Sequence, residues 1–143
     1  MTDDCVPSLQ MKYWLLLILL VAGACGGRQR NYQPAENALD GGREFIDACM
    51  KGDFSRAAFF MLPGAANEER LKEMERAYRE KDKEGRQQYR TASINIKEVT
   101  ELNADTTLIR YSNTVDLNTK TLKVVHKEQG WLVDIVPKDT TAH

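Results

Sequence analysis

Histidine, paired cysteines, glycine-rich loops and long apolar runs are all scarce in this 143-residue chain. Each shortage excludes a class of function. The two histidines are His126 and His143, the second at the terminus. There is no Cys pair at ligand spacing and no His-Glu-x-x-His, so no metal and no cofactor is implied. Gly26-Gly27 and Gly41-Gly42 lack the spacing of a phosphate-cradling loop. A charge excess is missing too, with 20 Lys and Arg against 21 Asp and Glu. A dedicated nucleic-acid binder carries a basic excess, so no nucleic-acid partner is expected. The main apolar run, Trp14 to Ala22, is nine residues long, whereas a membrane-spanning helix needs about 20.

Composition is otherwise that of a folded protein, 42% hydrophobic and 29% charged, at a length that suits one domain. The nine-residue run has the length of a secretory h-region, about 7–15 residues. Lys12 supplies the preceding positive charge and Ala22-Gly23-Ala24 the small residues before Cys25. Val21-Ala22-Gly23-Ala24-Cys25 resembles the lipobox of bacterial lipoproteins, departing where Ala22 replaces the usual Leu. The resemblance implies cleavage before Cys25 and a lipid on its sulfur. It also implies attachment to a membrane of the bacterial cell envelope, inner or outer. Ala22-Gly23-Ala24 equally fits an ordinary cleavage site, and a retained anchor is a third reading.

On this reading residues 1–10 are a misassigned start, since Asp3 and Asp4 do not suit a signal and Met11-Lys12 does. Residues 11–24 are the lipoprotein signal peptide, 25–36 the lipidated Cys25 and a polar tether, 37–137 a single domain, and 138–143 a tail. The first 24 residues hold Lys12, Asp3 and Asp4, so the remainder balances at 19 basic and 19 acidic residues. No long-range field steers an anionic partner. With Cys5 removed and Cys25 lipidated, Cys49 is a lone thiol and the domain must stand on its apolar core.

Helical periodicity comes first. Phe45, Ile46, Cys49 and Met50 share one face of a helix over Asn37 to Met50, with a start near Gly42 as an alternative. Gly52 is its left-handed stop. Asp53 caps a second helix, Phe54 to Leu62, apolar nearly all round and therefore expected to be the most buried. Asn67 caps a third, charge-laced helix running to about Gln87, with Leu71, Met74, Ala77 and Tyr78 as its apolar stripe. Cys49 reads as a small core residue and Asp47 as a surface one.

Beyond Tyr89 the period changes to two. Strands are expected over Ser93–Thr100, Thr106–Val115, Thr121–Lys127 and Trp131–Val136, joined by turn signals into an antiparallel meander. Thr107, Ile109, Tyr111, Asn113 and Val115 share one face. The last hairpin has two registers. A two-residue loop at Glu128-Gln129 sets His126 opposite Trp131 and Val124 opposite Val133, giving a nearly apolar inner row. A bulge at Gly130 shifts the pairing by one and reverses the faces. The apolar count favours the first, the glycine the second. The predicted fold class is α+β, with N-terminal helices packed on a curved four-stranded antiparallel sheet.

Phe45 to Ala57, the Ile94 to Val99 strand after a charged helix, and the closing Val124 to Asp134 hairpin together resemble the nuclear transport factor 2-like (cystatin-like) superfamily. Within it, the likeness is to small bacterial lipoprotein domains of Bacteroidetes-type genomes. The resemblance covers most of residues 37–137. It implies a cone with a pocket between helices and sheet. Some members are isomerases or polyketide cyclases; many only bind or dimerise. Enzymatic members use an aspartate general base, sometimes with a tyrosine donor. Neither aligns with a motif in this chain, so no catalytic residue is carried over.

The one constellation that suggests a site is Tyr111, His126 and Trp131, joined by Tyr78, an aromatic set with polar tips as in small-ligand pockets. The plainer reading makes His126 half-solvated at a hairpin end and Trp131 core. The leading expectation is a non-enzymatic, envelope-anchored lipoprotein, held to the membrane through Cys25. Its domain would bind a small apolar ligand or a protein partner. The alternatives are an isomerase- or cyclase-type enzyme in the same pocket and an interaction module that forms a homodimer.

Overall fold

The computed structural model describes residues 31–135. The expectations for the start, the signal, Cys25 and the tail lie outside the described residues. The described chain has four helices followed by four strands. They are α1 (Ala38–Lys51), α2 (Phe54–Phe59), α3 (Ala65–Arg79), α4 (Lys83–Thr91), β1 (Ile94–Asn103), β2 (Thr106–Asn113), β3 (Lys120–Lys127) and β4 (Gly130–Asp134). The strands form one antiparallel sheet in the order β1-β2-β3-β4, so the α+β meander is as expected. Among the described residues no helix is long and apolar enough to cross a membrane.

Asn37 caps α1, its side-chain oxygen accepting the Asp40 N–H at 2.9 Å. Gly41 and Gly42 lie inside the helix rather than before it, and both are buried. Their use is close approach: a Cβ on Gly41 would stand 2.7 Å from the carbonyl oxygen of Trp131, and one on Gly42 2.6 Å from Ile109 Cδ1. A glycine costs about 1 kcal/mol in a helix interior. Seating α1 directly on the sheet offsets that by burying Phe45 and Ile46 against Ile109, Leu122, Val124 and Val133, at roughly 1.5–3 kcal/mol per large side chain. Gly52 closes α1 in the left-handed conformation, φ 74°, as the sequence indicated.

The second helix differs from expectation. It ends at Phe59, and of its residues only Ala57 is buried, while Phe59 is 40% exposed. The apolar run continues as extended chain: Met61 forms a parallel bridge with Val133, with Leu62 N–H to Val133 O at 2.8 Å and Val133 N–H to Phe60 O at 2.7 Å. Phe60 and Met61 are buried because they cover the β4 edge, not because they line a helix. Arg56 ties α2 back to α1, pairing with Glu44 and, at 2.9 Å, with Asp47.

The third helix is also corrected. Asn67 lies inside α3, which starts at Ala65 after an uncapped Gly64. Buried Asn67 instead donates to Leu62 O (3.0 Å) and Asp134 Oδ1 (3.1 Å) and accepts the Ile135 N–H (3.0 Å). The charged stretch is two helices, not one. Asp82 caps α4 by accepting the Gly85 N–H at 2.7 Å, and the Arg86 guanidinium donates to the freed carbonyls of Arg79 (3.3 Å) and Lys81. These contacts compete with continuation of the helix at residues 80–82.

In the sheet, His126 faces Trp131 and Val124 faces Val133, the apolar-row register. Thr107, Ile109, Tyr111 and Asn113 are all buried on one face. β1 pairs with β2 through two irregularities, between Ile96 and Glu98 and between Glu101 and Asn103. Such bulges bend a strand and increase its twist. Tyr32 and Ala35, within the stretch read as tether, pack against the core.

Candidate functional site

A cavity of about 190 Å³ opens between α1, α3, α4 and the sheet end where β2 meets β3. Phe45, Ile46 and Met50 of α1, Phe54 of α2, and Met74 and Ala77 of α3 supply its apolar surface. Cys49, Tyr78, Lys81, Tyr89, Tyr111, Asn113 and Lys120 supply its polar atoms. No Asp or Glu is among these lining residues.

Each polar group is placed by a local device. Tyr78 is buried and lies over Gly52, meets the Phe54 ring edge-on at 5.9 Å, and accepts a hydrogen bond from Arg90 Nε at 3.0 Å. That bond commits its hydroxyl to α4. Lys81, in the α3–α4 link, sits with its ammonium 4.5 Å from the centre of the Tyr89 ring, a cation–π contact. It has no acidic partner among the described residues. Asn113, 3% exposed, ends β2 with its side-chain oxygen accepting the backbone N–H groups of Val115 (2.9 Å) and Asp116 (2.6 Å). Two N–H donors require an acceptor, so the amide oxygen is fixed there and its NH₂ is left without a partner among the described residues. Asp116 pairs with Lys120 at 2.7 Å and accepts the Asn118 N–H at 3.1 Å. The Lys120 bond, partly opposed by burial, holds the Asp116 carboxyl below its ordinary range.

Between these ends lie Cys49 and Tyr111. Burial pushes the Cys49 thiol up to about 12, with Lys120 acting in the opposite sense. Burial also raises the Tyr111 phenol, helped by Cys49, Asp116 and Tyr89. Both groups therefore stay protonated at neutral pH. The Tyr111 hydroxyl, on a residue only 8% exposed, has no hydrogen-bond partner among the described residues.

The structure brings Tyr78 and Tyr111 together on the cavity wall. His126 and Trp131 are not among the lining residues. Their rings stack on each other, centroids 4.8 Å apart at 33°, with His126 Nδ1 3.5 Å from Asp105 Oδ1. Tyr111 pairs with Lys120, and His126 lies six residues further along β3, roughly 20 Å at strand rise. Inward alternation alone grouped residues from opposite ends of one sheet face. Asn113, Lys81, Tyr89 and Lys120 escaped the sequence reading. Asn113 left a signal, an amide in register with Ile109 and Tyr111 on the buried face. Among the described residues, no group of three or more His, Cys, Asp or Glu is placed to hold a metal ion. No protein-family model, curated protein or solved structure matches the chain.

Proposed function

We propose that this chain is a lipid-anchored protein of the bacterial envelope whose α+β domain binds a small, largely apolar molecule. The cavity carries the reading: an apolar pocket with a few convergent polar groups is the usual form of a small-ligand site, and this one combines six apolar side chains with the Tyr111 hydroxyl and the Asn113 NH₂, neither partnered among the described residues. The anchor half of the reading rests on the Val21 to Cys25 motif, and the resemblance to the nuclear transport factor 2-like superfamily supports a pocket in this position. Binding is favoured over proton transfer because the described lining residues include neither carboxylate nor imidazole, and their thiol and Tyr111 phenol are raised away from neutrality.

Two measurements test the two halves. Metabolic labelling with a radioactive fatty acid is expected to mark the native chain and to miss Cys25→Ser; labelling that survives the substitution refutes the anchor. Native mass spectrometry of the gently purified chain is expected to show a small adduct that disappears on denaturation. A bare mass across growth conditions refutes the ligand.

A further inference from the structure

We infer that the cavity selects a small monocarboxylate, its ring or short chain against Phe45, Phe54 and Met74 and its carboxylate among the donors Lys81, Asn113 and Tyr111. The inference rests on the ligand-binding reading and adds the sign and size of the ligand. Among the described residues, the wall donors without a hydrogen-bond acceptor are the Lys81 ammonium, the Asn113 NH₂, the Tyr111 and Tyr89 hydroxyls and the O–H proton of Tyr78, whose oxygen accepts from Arg90, beside a protonated thiol. Donors are in surplus, so the ligand must bring acceptors. The charge balance has the same sign: Lys120 is matched by Asp116 at 2.7 Å, whereas Lys81, among the described residues, has only the Tyr89 ring face. A carboxylate in the cavity would supply the counter-charge that Lys81 lacks among the described residues.

One surplus positive charge suits a monoanion. A phosphate-sized dianion calls for more cations or a bidentate Arg fork, and no Arg is among the described residues that line the cavity. Size narrows the class further. An engineered apolar cavity of about 150 Å³ holds benzene, so about 190 Å³ has room for a six-carbon group plus a three-atom head. Drug-sized ligands occupy roughly 300–1,000 Å³.

The test uses the full chain, lipid-anchored in nanodiscs and labelled with methyl-¹³C methionine. Met50 and Met74 line the cavity; Met61, buried against Val133, does not, and serves as an internal control. The probes are benzoate, benzamide and benzamidinium, near-isosteric heads of charge −1, 0 and +1. Benzoate is expected to shift Met50 and Met74 while sparing Met61, with at least tenfold higher affinity than benzamide and no response to benzamidinium. Lys81→Gln is expected to bring benzoate down to the benzamide level. Equal binding of benzoate and benzamide at Met50 and Met74 overturns the anion preference and leaves the ligand-binding reading standing. No movement with any probe overturns the monocarboxylate inference, and the native-mass adduct then judges ligand binding separately.

Discussion

The ring of Tyr78 lies across Gly52, so close that a Cβ built on the glycine would stand 2.5 Å from Tyr78 Cε1. Gly52 also holds φ at 74°, a region that disfavours side chains. The contact joins the end of α1 to α3, and the Arg90 bond to the Tyr78 hydroxyl brings in α4. One tyrosine thus fixes three of the helices around the cavity.

Gly52→Ala is expected to lose about 1–2 kcal/mol from the left-handed conformation alone, and to displace Tyr78. Urea unfolding measures the first effect. The second appears as weakened benzoate shifts at Met50 and Met74. Stability and binding both unchanged would show that Tyr78 has room to retreat.

Gly41→Ala meets backbone, not a flexible tip, since the nearest atom is the Trp131 carbonyl oxygen at 2.7 Å. Overpacking of this kind costs about 1–3 kcal/mol. The expected urea midpoint falls accordingly; an unchanged midpoint would mean α1 lifts from the sheet without penalty.

Asn67→Ala removes three hydrogen bonds that tie α3 to Leu62, Asp134 and Ile135. It strands the Ile135 N–H and Leu62 carbonyl, at about 1–3 kcal/mol for a buried unsatisfied group. Chemical denaturation checks the magnitude, and amide exchange at Ile135 is expected to accelerate.

Alkaline pH is expected to weaken the fold through Cys49. Its folded value of about 12 exceeds the ordinary 9.0, so between those values the unfolded chain has released a proton that the folded chain retains. Stability is therefore fully present below pH 9 and falls above it, by at most about 1.4 kcal/mol per pH unit for one group. Urea midpoints from pH 7.5 to 10 follow the loss. Cys49→Ala is expected to flatten the slope, and an identical slope in that variant would assign it to other groups.

The order of helices before strands was legible because periodicity is a property of neighbouring residues, while the last hairpin stood between two registers, of which the structure has the one favoured by the apolar count. Gly52 and Asp53 announced their caps, whereas Asn37, read as the first helical residue, proved to be the cap; alternation along 107–113 announced the buried face. The misread parts depend on distant partners. Met61 is extended because the β4 edge needs covering, and Asn67 is interior because Asp134 and Ile135 lie 67 and 68 residues away. Half of the aromatic set reached the cavity: a strand pattern says which face Tyr111 and His126 share, not which end the helices leave open.

The central claim is that the cavity retains a small molecule, and native mass spectrometry of the chain beside Cys49→Phe tests it most directly. The larger side chain projects from a lining position and fills much of the space. The account predicts an adduct on the native chain and none on a folded Cys49→Phe, with folding verified by circular dichroism. An adduct of equal occupancy on both proteins, or none on the native chain, would contradict it.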